Sequence, residues 1–180
     1  ENGSLRITDW SEFDRVVASW YSGGRRSFVM PPLNFLGDYY GWGYGGKDRT
    51  HPGKSPFADV PWLSPEGLKY AGDFAKQYTD HVRTKFPEAH FYAYLYDEPQ
   101  PAVHADLAKI TDTLHRAAPD LKIFITKEVC DTLGSIYAWC VPLAPGFVRP
   151  ELQKKVHAGG GEIWYYNWTV CLDDHDYIRT

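Results

Sequence analysis

His90-Phe91-Tyr92-Ala93-Tyr94-Leu95-Tyr96-Asp97-Glu98-Pro99 is the stretch on which the reading of this chain turns. An apolar, aromatic run from His90 to Tyr96 ends abruptly in two adjacent carboxylates and a proline. Its shortness, its Phe, Tyr and Leu content and its flanking Pro87 and Pro99 predict a buried strand. Pro99 has no N–H to give to a ladder and helps to end it. Asp97 and Glu98 then stand at the C-terminal end of a strand, where α/β barrels assemble their sites.

Helical spacing flanks the run on both sides. Upstream, Ser64-Pro65-Glu66 combines an N-cap, a proline at the first helical position and an acid in the first turn. Leu68, Ala71, Phe74, Ala75, Tyr78 and Val82 then form one apolar face of a helix that ends near Phe86-Pro87. Downstream, Pro101 opens a helix to about Ala118, with Leu107, Ile110, Leu114 and Ala117 facing inward. Lys122 to Thr126 and Tyr137 to Val141 read as strands. Arg149 to His157 reads as a helix ended by Gly159-Gly160-Gly161, and Glu162 to Tyr166 as a last, aromatic strand. Nearer the N-terminus, Ser4 to Ile7 reads as a short strand. Thr8 or Asp9 caps a helix to about Tyr21, in which Trp10, Phe13, Val16, Val17 and Trp20 fall at helical spacing. Ser27 to Met30 is a strand stopped by Pro31-Pro32. Residues 33–63 form a long loop around Gly41-Trp42-Gly43-Tyr44-Gly45-Gly46, and its aromatic content argues for a functional loop over a disordered one.

The alternation predicts a mainly parallel sheet with helices outside it. The expected class is α/β, a single domain over residues 1–180, with five or six strand–helix units of a (β/α)8 barrel. A full barrel usually takes about 250 residues, against 180 here. The barrel is therefore expected to be incomplete, with both ends looking cut. An open doubly wound sheet is the alternative. The glycine run lacks the GxGxxG register and a following helix, and no GK[ST] loop follows a strand.

Net charge is -4 and the basic residues are scattered, which speaks against a nucleic-acid partner. No apolar run approaches the ~20 residues of a membrane span. No signal peptide is legible; the chain begins at Glu1, so a leader is expected to have been removed or left out. The three cysteines, Cys130, Cys140 and Cys171, have no metal-site spacing. They read as buried free thiols, with a Cys130–Cys140 disulfide as the alternative. The histidines show no HExxH or paired spacing, so no metal and no cofactor is expected. Aromatic residues make up 16% of the chain, more than a core needs. Sugar-binding clefts use such residues, stacking their faces on sugar rings while OH and NH groups bond hydroxyls.

Two carboxylates at a strand end suit acid/base work, with glycoside hydrolysis the leading chemistry and a carbohydrate the expected partner. In a two-carboxylate retaining enzyme the groups lie ~5–5.5 Å apart and come from different strands. Asp97 and Glu98 are neighbours, and in a regular strand they point to opposite faces. They converge only if the strand breaks or bulges at its end. No distant nucleophile presents itself: the last strand ends Tyr165-Tyr166-Asn167-Trp168, Glu162 lies at its wrong end, and Glu128 is a weak candidate. That absence favours a substrate-assisted mechanism, in which an acetamido group on the sugar attacks its own anomeric carbon. Asn34, beyond an earlier strand, is a candidate for a sugar hydroxyl, and His51 is the one histidine placed near a site. For Trp42, Trp139, Trp164 and Trp168 core packing and stacking on sugar are equal readings, with Trp42 the foremost stacking candidate, and Tyr96 is a further candidate to bind substrate. Trp164 reads as the tryptophan most suited to the core.

The Tyr94-Leu95-Tyr96-Asp97-Glu98-Pro99 motif, the helix carrying Phe74, Tyr78, His81 and Val82, and Ile163-Trp164-Tyr165-Tyr166 resemble the family 123 glycoside hydrolases and their relatives in domain of unknown function 4091. The resemblance implies a (β/α)8 barrel acting as a β-N-acetylgalactosaminidase, a hydrolase of the β-N-acetylhexosaminidase type, secreted or periplasmic. It implies that Asp97 orients the acetamido group and stabilises an oxazolinium-like intermediate. It implies that Glu98 is general acid and then general base. Tyr166 is placed by position to bond the acetamido carbonyl. The family's first and last strands have no counterpart here. A non-catalytic carbohydrate-binding or degenerate barrel, and a two-carboxylate retaining glycosidase, are the rival readings.

Overall fold

The computed structural model describes residues 3–29, 60–61, 63–143 and 149–166. Five strands, β1 (Ser27–Val29), β2 (His90–Asp97), β3 (Lys122–Thr126), β4 (Ala138–Pro142) and β5 (Glu162–Tyr166), form one sheet. Four helices accompany them: α1 (Ser11–Ser22), α2 (Pro65–Lys85), α3 (His104–Ala117) and α4 (Pro150–Ala158). Every pairing is parallel, and the strands lie in chain order. The described sheet therefore has no reversal of order, the feature that makes a doubly wound fold.

The two faces of the sheet differ in kind. One face carries Phe91, Ala93, Leu95, Ile123, Ile125, Trp139 and Val141, packed with Val17 of α1, Ala71, Ala75, Tyr78 and Val82 of α2, and Leu107, Ile110 and Leu114 of α3. The other carries Tyr92, Phe124, Ala138 and Cys140, with Tyr94, Tyr137, Trp164 and Tyr166 against them, and no helix contributes among the described residues. Helices on one side only are the arrangement of a barrel wall. The bare face is concave. In a flat sheet β2 and β5 lie three steps of about 4.8 Å apart. Here the Tyr92 and Trp164 rings meet edge to face at 4.6 Å between centroids, and the Tyr92 hydroxyl reaches Glu162 Oε2 at 3.1 Å. The described architecture is a curled, five-stranded parallel half-barrel with its helices outside.

Local chemistry sets the element boundaries. The Ser64 hydroxyl accepts from the Gly67 N–H at 3.0 Å, Pro65 opens α2, Glu66 sits in its first turn, and Arg83 and Lys85 sit in its last. Pro101–Val103 is a single tight turn, so α3 begins at His104 rather than at the proline. Ser4 to Ile7 is not a strand. Its backbone is paired by α2 side chains instead: Leu5 N–H to Asp73 Oδ2 at 2.9 Å, Ile7 N–H to Gln77 Oε1 at 3.0 Å, and Gln77 Nε2 to Leu5 O at 2.8 Å. Asp73 and Gln77 are one helical turn apart and do the work a neighbouring strand would do. On α1, Val17 is buried while Val16 and Trp20 are exposed. These two form the neighbouring stripe of the helix, and Arg25 covers Trp20 at 4.5 Å from its ring.

No helix joins β3 to β4. The connection docks on α3: the Thr111 hydroxyl donates to Leu133 O at 3.2 Å, and His104 Nδ1 lies 2.6 Å from Thr132 Oγ1. Gly134 takes φ +73, and a Cβ there would stand 2.7 Å from Thr111 Oγ1. Glycine is what that contact permits. Cys130 and Cys140 are both free thiols. Their residues face opposite sides of the sheet, Cys140 in the concave cluster and Cys130 against the helix-side core, which leaves the disulfide alternative without support. Among the described residues no helix is long and apolar enough to cross a membrane.

Candidate active site

β2 carries an extra residue near its end. Tyr94 is registered with Phe124, but Thr126 is registered with Asp97, so three steps on β2 match two on β3. The phase of the strand changes there. Before the bulge the even residues Tyr92 and Tyr94 face the concave side; after it, Asp97 does. Leu95 and Tyr96 both turn to the helix side, where Tyr96 is 1% exposed. The next residue, Glu98, takes φ +44, the only non-glycine with positive φ among the described residues. That left-handed step bends the chain back after the strand, and Glu98 Oε1 accepts from the Tyr166 hydroxyl of β5 at 2.6 Å. The left-handed residue, which follows Asp97 directly, removes the geometric objection to an adjacent pair.

The two carboxylates are held differently. Asp97 Oδ1 accepts from the Tyr94 hydroxyl at 2.9 Å and from the Thr126 hydroxyl at 2.7 Å. Glu98 is exposed, and its carboxylate has Tyr166. Its backbone N–H is tied to Thr126 O at 2.9 Å and to Thr126 Oγ1 at 3.1 Å. Burial raises the Tyr166 hydroxyl well above the usual phenol range, and the bond to Glu98 and the charges of Glu98 and Asp97 raise it further. Tyr166 is therefore a donor and not a base at any ordinary pH.

Below this site the concave face is polar again. Glu162 accepts from the Tyr137 hydroxyl at 2.9 Å, the Tyr92 hydroxyl at 3.1 Å and Trp164 Nε1 at 2.9 Å, with Lys122 Nζ at 3.7 Å. Burial pushes its carboxyl up, but these donors and the lysine outweigh that and leave it below its ordinary value. Tyr92 is pushed up to about 12 by burial and by the neighbouring Glu162. Burial also raises the Cys140 thiol.

Of the residues read from sequence, Asp97, Glu98 and Tyr166 come together at the strand ends. Tyr96 and Trp139 do not join them. Both face the helix-side core, Trp139 at 5% exposure, and neither is placed to stack on a sugar in the concave face. For Tyr96 the bulge is the reason; for Trp139 it is strand parity, which sends it outward with Val141. Trp164, expected in the core, packs half-buried against the concave-face cluster with Tyr92 and Phe124, because it alternates with Ile163 and shares a face with Glu162 and Tyr166. Glu128 lines a helix-side cleft with Val141, Leu152 and Ile163, away from the pair, and has Lys127 at 3.4 Å. Asn34, Trp42, His51 and Trp168 lie outside the described residues, as does Cys171. Tyr94 and Thr126 join the pair without being singled out by the sequence. The signal was there in outline: Thr126 ends the strand next to the pair, and Tyr94 is a concave-face position on the same strand.

A cleft of about 390 Å³ lies on the helix side between α3, α4 and the β3–β4 connection, away from both carboxylates. Among the described residues no three His, Cys, Asp or Glu side chains are grouped as a metal site. No protein-family model matches the chain, and no curated protein matches it.

Proposed function

We propose that the chain is a retaining glycosidase of the substrate-assisted type, acting on a terminal β-linked N-acetylhexosamine. N-acetylgalactosamine is the sugar that the resemblance to family 123 favours, and a (β/α)8 barrel is the frame the proposal assumes. The observation that carries it is the convergence of two adjacent carboxylates on one concave face, one fixed by two hydroxyls and one exposed. Substrate assistance asks for that division of labour: a fixed acid group to orient the acetamido nitrogen, and a reachable one to move a proton.

The steps balance without a further reactant except water. The acetamido carbonyl oxygen attacks the anomeric carbon, the bond to the leaving oxygen breaks, and Glu98 gives that oxygen its proton. The cyclic oxazolinium so formed carries its positive charge on an N–H that Asp97 accepts. Water then attacks the anomeric carbon from the opposite face and gives its proton to Glu98. The ring opens to the acetamide, configuration is retained, and Glu98 is again protonated. Tyr166, as a phenol that keeps its proton, is suited to hold Glu98 between turnovers and the acetamido carbonyl during one.

Hydrolysis of a paired set of nitrophenyl glycosides, the N-acetyl-β-galactosaminide and the plain β-galactoside, tests this. Turnover of the acetamido sugar alone, falling at least ~100-fold in Glu98→Gln, is the expected result. Undiminished activity in that variant overturns the assignment of Glu98. Covalent trapping by a fluoro sugar points to a two-carboxylate enzyme, and sugar binding without turnover of either substrate points to a binding module.

A further inference from the structure

We infer that Thr126 and Tyr94 are positioning residues that lock one oxygen of Asp97 so that the other is presented to a substrate amide N–H. The inference rests on the reading of the concave face as an acetamido-sugar site. A hydroxyl has one proton and two lone pairs. The shortest contact of Thr126 Oγ1 is to Asp97 Oδ1 at 2.7 Å, against 3.3 Å to Tyr96 O, so the carboxylate takes its proton. A lone pair of the same Oγ1 accepts the Glu98 N–H at 3.1 Å. The Tyr94 hydroxyl, 3.0 Å from Thr126 Oγ1, gives its proton to the same Oδ1 at 2.9 Å. Two protons therefore converge on Oδ1, while Oδ2 accepts none among the described residues. An oxygen in that position is an acceptor and selects a donor. The amide N–H of an acetamido group supplies one, and its carbonyl oxygen does not.

Thr126 has a second consequence. Among the described residues it is the one side chain bonded to both members of the pair, to Asp97 through its proton and to the backbone of Glu98 through its lone pair. Its backbone carbonyl also holds the Glu98 N–H at 2.9 Å. A single hydroxyl on β3 thus fixes the orientation of one carboxylate and the left-handed turn that carries the other. Neither hydroxyl has to touch the reacting atoms to do this.

The test uses the full chain and four variants, Thr126→Val, Thr126→Ser, Tyr94→Phe and Asp97→Asn, with nitrophenyl N-acetyl-β-galactosaminide and nitrophenyl β-galactoside as probes. Thermal unfolding confirms that each variant is folded. Thr126→Val keeps the shape and loses the hydroxyl. It is expected to lower kcat on the acetamido sugar roughly 10- to 100-fold with a smaller change in KM. Thr126→Ser restores most of that loss. The double variant Thr126→Val/Asp97→Asn loses less than the product of the two single losses, because part of the Thr126 effect passes through Asp97. A wild type that prefers the acetamido sugar while Thr126→Val and Tyr94→Phe retain its full rate overturns the positioning role and leaves the functional reading standing. Equal losses in Thr126→Val and Thr126→Ser assign the effect to packing and overturn it too. A wild type with no preference between the two sugars overturns both.

Discussion

Glu98 holds a backbone conformation that a residue with a Cβ seldom adopts, at a cost of about 1–3 kcal/mol, and it holds it beside the carboxylate that would move protons. The side chain of Asp97, one position earlier, is clamped. The two should therefore fail differently. Glu98→Gln is expected to slow alkyl glycosides more than nitrophenyl ones, because a nitrophenolate leaves with less help from an acid. Asp97→Asn is expected to slow both by a similar factor, since it acts on the acetamido group. A leaving-group series, rate against leaving-group acidity, checks this: the slope steepens in Glu98→Gln and stays put in Asp97→Asn. The identities of the pair, and of Tyr166, were legible in sequence because each closes an apolar run. The convergence was not. Strand alternation forbids it, and no glycine or asparagine marks Glu98 as the residue that breaks the rule.

At the scale of elements, two connections show why some boundaries were readable and others not. The strands at 122–126 and 162–166 fall where apolar periodicity puts them, and Tyr137–Val141 shifts by one residue to Ala138–Pro142. Ser4 to Ile7 departs from the strand its sequence suggests because its partners are side chains 68–72 residues away. No local pattern announces such a pairing. The β3–β4 connection depends on Gly134 lying against Thr111. Gly134→Ala adds a methyl group where none fits, in a left-handed backbone, and is expected to cost about 2–3 kcal/mol, read as a lower urea midpoint with unchanged slope. The strands are also joined through Glu162. Its folded carboxyl titrates below its ordinary value of 4.5, so the unfolded chain binds its proton first as pH falls. The stability it contributes is fully present above that value and is lost as pH drops through the folded one. Glu162→Gln should therefore remove part of the acid limb, and urea midpoints measured from neutral pH down to about pH 3 would show a flatter decline.

At the scale of the whole sheet, the packed core and the proposed site lie on opposite faces among the described residues. The helix side buries Leu107, Ile110, Leu114, Ile125 and Leu133 completely, and the concave side holds carboxylates, hydroxyls and rings. Leu107→Ala is expected to cost about 2–5 kcal/mol and to leave KM for a bound sugar unchanged wherever the protein is still folded. Thermal unfolding and rate assays on the same samples check that separation. The class and parallel order of the sheet followed from strand–helix alternation. Which tryptophan faced which side did not, because Trp139 and Trp164 differ only in parity, and parity depends on where each strand begins.

The bulge in β2 works like a shift of reading frame. Upstream of it the concave face is spelled by even-numbered residues, and downstream by an odd one. Removing Tyr96 would restore a uniform frame, with Tyr94 inward, Leu95 outward and Asp97 inward again. The acid would keep its place, and the helix-side core would lose a ring. A change of length at this point is thus expected to spare the direction of the aspartate and to cost packing. The extra residue serves the wall of the half-barrel, and the aspartate has been counted into position around it.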